Sequence, residues 1–176
     1  MITITRSNIY LPIAAMILTV ALAVPAAAQK QVPFKGTIQG NDIDSQGPCG
    51  APIPNSPFVC VTTSGTGIST HLGQFVFTLQ VTVNVAALPL TATGSAHWVA
   101  ANGDSIDMTV TGSGEPMATP DGVVFVITET YIITGGTGRF AGAQGSFTME
   151  RVGIGAPQFI TFGSFHGSIT FPGAAH

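Results

Sequence analysis

Charged residues are scarce in this sequence. Asp, Glu, Lys and Arg make up 7% of its 176 residues, whereas they make up about a quarter of an ordinary soluble domain. The basic residues are scattered and the formal net charge is −3, which excludes the dense positive surface that nucleic-acid binding requires. A hydrophobic content of 45% argues against disorder. The composition therefore predicts a folded domain that does not bind nucleic acid.

Cysteine is also scarce. Cys49 and Cys60 are the only two, and prolines fill the segment between them, so this segment forms neither a helix nor a central strand. We predict that residues 48–60 are a loop closed by a Cys49–Cys60 disulfide in an exported protein. A redox-active pair is the alternative, but the C-x-x-C spacing that favours it is absent.

Familiar catalytic motifs are missing. The sequence has no G-x-S-x-G, no H-E-x-x-H and no paired metal-ligand motif. The histidines stand far apart in the sequence, at positions 71, 97, 166 and 176. We therefore expect surface histidines and no cofactor or metal, although a metal site assembled by the fold stays open as an alternative.

The long apolar run lies at the N terminus. Arg6 precedes an apolar stretch from Ile9 to Val24, and the small residues Ala26–Ala28 follow it. This pattern predicts a signal peptide over residues 1–28, cleaved after Ala28. A transmembrane anchor is the alternative, but the run is short for a span and prolines flank it. We expect residues 29–176 to form one domain that is periplasmic or secreted and meets the membrane only during export.

The rest of the chain alternates between apolar and polar residues. In "QFVFTLQVTV" (residues 74–83) nearly every second residue is apolar, which places the apolar side chains on one face of a strand. Comparable patterns occur at 32–39, 58–64, 92–100, 104–111, 123–134, 145–152 and 158–171, and no segment reads as a convincing amphipathic helix. The predicted fold class is all-β, a single antiparallel β-barrel of about eight strands.

The segment "WVAANGDSIDM" (residues 98–108) allows two hairpin registers. A two-residue Asn102-Gly103 turn would direct Trp98 away from the apolar face. A three-residue loop with Gly103 at positive φ pairs Trp98 with Ile106 instead. Because the second register buries the tryptophan, we predict it, and His97 then points outward.

The glycine-rich segment "ITGGTGRFAGAQGSF" (residues 133–147) resembles a nucleotide-binding loop at first sight. Its last spacing differs from G-x-G-x-x-G, no helix follows it, and the Lys of a P-loop is absent. It lies between two predicted strands, so we interpret it as a structural connection. In this interpretation Phe140 closes one barrel end, and the glycines supply positive φ angles and close backbone approach at positions 135, 136, 138 and 142.

Two segments carry a family resemblance: "THLGQF" (70–75) and "ETYIITGGTGRFAGAQGSF" (129–147). They resemble small exported bacterial proteins of the allene oxide cyclase barrel-like group, and more distantly plant dirigent proteins. The resemblance implies an eight-stranded antiparallel barrel with an interior cavity. Plant members of the group guide cyclisation or radical coupling of apolar substrates without a cofactor. Their pocket residues do not align onto positions here, so the resemblance assigns no catalytic residue.

Glu129 is the most informative polar residue. In "VVFVITETYII" (123–133) it lies on the apolar face together with Tyr131, and a buried carboxylate needs a partner or a proton. An antiparallel hairpin centred near 139–140 places either Arg151 or Met149 opposite it. We predict an inward Glu129–Arg151 ion pair that fixes the register. The functional alternative makes Glu129, Tyr131 and Arg151 the polar contacts of an apolar ligand cavity.

Three functions follow from these features. The first is an exported, non-catalytic barrel that holds a small apolar molecule. The second is a cofactor-free isomerase, cyclase or dirigent-like guiding protein, for which Glu129 is the candidate acid. The third is a small outer-membrane or structural barrel, which is disfavoured because the outer faces are polar and few Trp and Tyr residues are available for girdles.

Overall fold

The computed structural model describes residues 30–86 and 88–174. The predicted signal peptide and His176 lie outside this part of the chain. The described residues form eight β-strands and one single-turn 3₁₀ helix, η1. Their bounds are β1 Val32–Gln46, β2 Phe58–Ser69, β3 Gly73–Asn84, β4 Leu90–Ala100, β5 Ser105–Thr119, β6 Gly122–Gly136, η1 Gly138–Phe140, β7 Gln144–Ile154 and β8 Ile160–Thr170.

The strands form a closed antiparallel barrel. Each strand pairs with the next one along the chain, and β1 also pairs with β8. Since closure pairs the two strands that would otherwise form free edges, the barrel exposes no long sheet edge. The predicted fold class is confirmed.

Three strands run at least five residues further than their sequence patterns predicted, among them β2, which continues to Ser69 rather than ending at residue 64. β1 continues to Gln46 rather than ending at residue 39, and β5 continues to Thr119 rather than ending at 111. In β1 the inward positions beyond Ile38 are Gly40 and two aspartates, and in β5 they become glycines. Because these inward positions are not apolar, the alternation that reveals a strand disappears although the strand continues.

Trp98 occupies the middle of the barrel. It pairs with Ile106, and Gly103 has φ 89°, so the predicted register is confirmed. Its side chain is 1% exposed and stacks on Phe75 with 4.5 Å between ring centroids. The rings that have centroids within 6.3 Å of it belong to Phe34, Phe75, Phe77, Tyr131, Phe147 and Phe165. This aromatic layer fills the barrel cross-section at the level of Trp98.

Inward glycines make room for the aromatic layer. A Cβ at Gly67 would lie 2.3 Å from the Phe75 ring, and one at Gly36 would lie 2.8 Å from the Phe165 ring. Each of these distances is shorter than a van der Waals contact. A larger residue at either position would therefore displace a core ring.

The connection from β6 to β7 closes one barrel end. Phe140, in η1, is fully buried and packs edge-on against Phe171 with 5.1 Å between centroids. Gly138 and Gly142 have φ of 57° and 75°, and a Cβ at Gly136 would lie 2.2 Å from the Ser105 carbonyl oxygen. Gly135 has a negative φ and open space where a Cβ would lie, so the structure gives no steric reason for glycine there.

The outer wall is rich in hydroxyl groups. Five threonines occupy consecutive cross-strand positions from β3 to β7: Thr82, Thr93, Thr111, Thr130 and Thr148. Threonine has a high β-propensity, and cross-strand Thr pairs stabilise a sheet. These threonines form a polar band on the wall, and exposed apolar side chains such as Ile68, Val76 and Phe162 lie elsewhere on it.

The Cys49–Cys60 disulfide is formed. Cys60 lies in β2 on the outward face, and the Cys49 amide donates to Thr82 Oγ1 of β3 at 3.0 Å. The disulfide therefore holds the proline-rich loop against the outside of the barrel.

Replacement of both cysteines by serine should lower the free energy of unfolding by about 3 kcal/mol, because the disulfide closes a short loop in the unfolded chain. Urea denaturation followed by Trp98 fluorescence would measure this change. Wild-type protein with the disulfide reduced should lose the same amount, and an unchanged midpoint in both samples would contradict the prediction.

Candidate functional site

A cavity of about 290 Å³ opens at the barrel end opposite η1. Its walls are mostly apolar and come from Val59, Val61, Val81, Val83, Ala92, Phe125 and Ile127, among others. Four ionisable side chains also line it: Asp42, Asp44, Glu129 and Arg151. An apolar cleft with a few polar groups is typical of a small-molecule site.

The cavity exists because inward side chains become smaller toward this end. Along β4 the inward residues run Trp98, Ala96, Gly94 and Ala92, and along β5 they run Ile106, Met108, Val110, Gly112 and Gly114. A barrel of eight strands is filled when its inward side chains are large, and it holds a small ligand when they are not. The aromatic layer is therefore the floor, and the small inward residues of β4 and β5 leave the open space above it.

The structure brings Glu129 and Arg151 together above this floor. Arg151 Nη2 donates to Glu129 Oε1 at 2.9 Å, and the two residues are 4% and 1% exposed. Met149 lies directly opposite Glu129, so the ion pair runs diagonally between β6 and β7. Gly112 pairs with Glu129 and Gly163 pairs with Arg151, and a Cβ at Gly112 would lie 2.6 Å from Glu129 Cγ.

Further hydrogen bonds surround the pair. The Tyr131 hydroxyl donates to Glu129 Oε2 at 3.0 Å, and Arg151 Nη1 donates to Thr161 Oγ1 at 3.3 Å. Asp42 Oδ1 lies 3.6 Å from Arg151 Nη1 and accepts a hydrogen bond from Thr63. Glu129 therefore has a partner on each oxygen, which offsets much of the cost of burying its charge.

Burial and the charge of Glu129 shift the pKa values of Arg151 and Tyr131. Burial by itself lowers the pKa of Arg151, but the charge of Glu129 and smaller contributions from Tyr131 and Asp42 outweigh burial and raise that pKa. Burial, and then the charge of Glu129, raise the pKa of Tyr131 well above its usual value. At neutral pH the guanidinium is therefore charged, and Tyr131 is a neutral phenol that donates to Glu129.

Tyr131 occupies a different place from its two partners. Glu129 and Arg151 line the cavity, whereas Tyr131 belongs to the aromatic layer beneath it, stacked on Phe147 with 4.7 Å between centroids. The assignment of these three residues to a ligand stays a prediction. In geometric terms, Tyr131 reaches the cavity only through Glu129.

Sequence reasoning missed Asp42 and Asp44. Both follow Phe34 and Ile38 at even positions of β1, so they share the inward face, but the predicted strand ended at residue 39. Asp42 is largely buried, with 14% of its side chain exposed, and Asp44 is solvent-exposed at the rim. Partial burial in the cavity wall, and then the charge of Asp42, raise the pKa of Asp44.

The histidines of the described chain lie away from the cavity. His97 faces outward on β4, where its Nδ1 lies 2.6 Å from Asp107 Oδ1 of β5. His71 and His166 are exposed as well. Among residues 30–86 and 88–174, no three His, Cys, Asp or Glu side chains are grouped in a way that suits a metal ion.

Comparison with known proteins supports the barrel assignment. No family model matches the sequence, and no curated protein matches it. Among solved structures, the chain is similar to a pterocarpan synthase dirigent protein, with a TM-score of 0.52 and 11% identity over 81% of this chain and 92% of that chain. This likeness shows that the chain has a dirigent-like barrel fold.

Replacement of Arg151 by Met should lower the free energy of unfolding by about 3 kcal/mol, because it leaves the buried Glu129 carboxylate without its cation. Urea denaturation would measure the change, and Arg139→Met, which removes an arginine with a half-exposed side chain near the opposite end, is the control. The double variant Glu129→Gln/Arg151→Met should recover part of the loss. Equal effects of the two single arginine substitutions would contradict a stabilising pair.

Replacement of Asp44 by Asn should slightly raise the melting temperature at neutral pH. Because the folded-state pKa of Asp44 is raised above 3.8, folding disfavours the ionised carboxylate, and this cost appears as pH rises through the folded pKa. Below the unfolded-state pKa both proteins carry a neutral group, so the difference should shrink. Thermal melts at acidic and neutral pH would measure it, with Glu150→Gln on the outer wall as the control. A gain that is the same at both pH values would contradict this origin.

Proposed function

We propose that this protein is an exported β-barrel that holds a small apolar molecule in its open end. The observation that carries the proposal is the cavity of about 290 Å³ above the aromatic layer. Its apolar walls favour an apolar ligand because they remove that ligand's surface from water, which contributes about 25 cal/mol per Å². The volume lies at the lower end of the range for small-molecule sites, which favours a compact ligand.

Two features support export. The N-terminal residues 1–28 carry the order of basic, apolar and small residues that a signal peptidase substrate needs. The Cys49–Cys60 disulfide is of the kind that persists in an oxidising compartment. We therefore propose a periplasmic or secreted protein, and purification without detergent would distinguish it from an outer-membrane barrel.

A second candidate function is guidance or isomerisation of an apolar substrate without a cofactor. Two observations favour it: the dirigent-like barrel fold, and the buried carboxylate of Glu129 at the base of the cavity. Glu129 is already bonded to Tyr131 and Arg151, which fixes its orientation toward a bound molecule. A holding protein returns its ligand unchanged, whereas a guiding protein returns a product, so the mass and stereochemistry of the released molecule separate the two.

The holding function is tested by filling the cavity. Gly153 lines it, has a negative φ, and a Cβ there would meet its nearest atom at 3.6 Å, which is ordinary contact. Gly153→Leu should therefore fold and direct its side chain into the open space. Solvent extraction followed by mass spectrometry should find a molecule in the wild type and none in this variant, and calorimetric titration with n-octanol should show the same loss.

Gly135→Leu is the matched control. Gly135 lies near the end of β6 that leads into η1, at the barrel end away from the cavity, and there is open space around its Cβ position. This variant should retain the molecule and bind n-octanol as the wild type does. Unchanged binding in Gly153→Leu would show that the cavity is not the site.

Glu129→Gln separates a ligand contact from a structural role. Glutamine preserves the shape of the side chain and removes its charge, so we expect the protein to fold. If Glu129 contacts the ligand, this variant should lose the retained molecule. Full retention with a lowered urea midpoint would assign Glu129 to the fold alone.

A further inference from the structure

The charges that line the cavity do not balance. Three carboxylates, those of Asp42, Asp44 and Glu129, face a single guanidinium, that of Arg151. The whole sequence is also acidic, with a formal net charge of −3. A concave site whose walls have low polarity concentrates the field of such an excess, so it attracts cations and repels anions.

The two terminal nitrogens of Arg151 are already engaged with protein groups. It bonds Glu129 at 2.9 Å and Thr161 at 3.3 Å, and Asp42 lies 3.6 Å away. An anionic ligand would therefore compete with two carboxylates for one cation, and it would pass Asp44 at the rim. This arrangement disfavours a carboxylate ligand such as a fatty acid.

Two polar groups of the site lack a partner within the described residues. Asp44 at the rim forms no hydrogen bond or ion pair there. Arg151 Nε is fully buried and has no acceptor. The Arg151 side chain as a whole is 3% exposed and lines the cavity. A cation supplies no acceptor for this N–H, so the group of the site that is free to bind a cation is the carboxylate of Asp44.

We propose that the occupant is a small apolar molecule with one cationic nitrogen, whose ammonium pairs with Asp44 and Asp42 while its apolar body lies against the valine walls. This inference rests on the proposed holding function and names its ligand class. Asp44 lies at the rim and Asp42 lies deeper and is largely buried. An entering cation therefore contacts Asp44 first and loses part of its hydration shell as it approaches Asp42.

An organic cation fits the site better than a metal ion. The side chains around Asp42 and Asp44 include Val59 and Val61 from β2, which provide no metal ligands. Within the described chain no group of three metal-binding side chains is found. Apolar walls beside a carboxylate instead match an alkylammonium, which has one charged end and an apolar remainder.

Three probes with one alkyl chain and different head groups test the ligand class: n-octylamine, n-octanol and n-octanoate, titrated calorimetrically at neutral pH. The amine should bind about tenfold more tightly than the alcohol, since only the amine gains a charge pair, and the acid should not bind detectably. Asp44→Asn should weaken amine binding about tenfold and leave alcohol binding unchanged. Glu150→Gln, which removes the same charge from the outer wall, should leave both unchanged.

The outcomes separate this inference from the function on which it rests. If the alcohol binds as tightly as the amine, or the acid binds more tightly than either, the cavity holds a ligand but the cationic class is wrong. If none of the three binds and Gly153→Leu also changes nothing, the holding function itself fails. Because Asp44→Asn is expected to be at least as stable as the wild type, loss of amine binding in that variant reports on the site and not on unfolding.

Discussion

The stacking of aromatic rings around Trp98 is the interaction on which the rest of the structure depends. Trp98 is 1% exposed and lies within 6.3 Å of six other rings. A barrel of eight strands has room for side chains and little else, so this layer occupies the full interior at one level. Beyond it the inward residues of β4 and β5 shrink to alanine and glycine, and this contrast between the two levels creates the cavity.

Above the aromatic layer, an ion pair replaces ring packing as the main contact between inward side chains. The Glu129–Arg151 pair lies between the rings and the open space, and Tyr131 connects the two levels through its hydroxyl. A buried pair of this kind contributes little net stability but makes the loss of one member costly. It therefore constrains the register of β6 and β7 and gives the cavity a polar base.

The sequence predicted most of the fold because its information is local. The alternation in residues 74–83, the Trp98–Ile106 register and the Cys49–Cys60 disulfide follow from periodicity, turn geometry and spacing. The inward direction of Glu129 follows from the same parity, and Arg151 was one of two residues expected to face it.

The site was predicted less completely. Asp42 and Asp44 escaped detection because polar residues on an inward face look like the end of a strand. Their proximity to Arg151 arises from barrel closure, which joins β1 to β8 and brings distant segments together.

The aromatic layer determines how a ligand can enter and leave the barrel. Phe140 and Phe171 seal one end and the rings around Trp98 fill the middle, so the interior is a blind chamber and not a channel. A ligand must leave through the same opening by which it entered, past the same rim residues. Its residence time is therefore set by the side chains at that one opening, and substitutions there should alter the rates of entry and exit together.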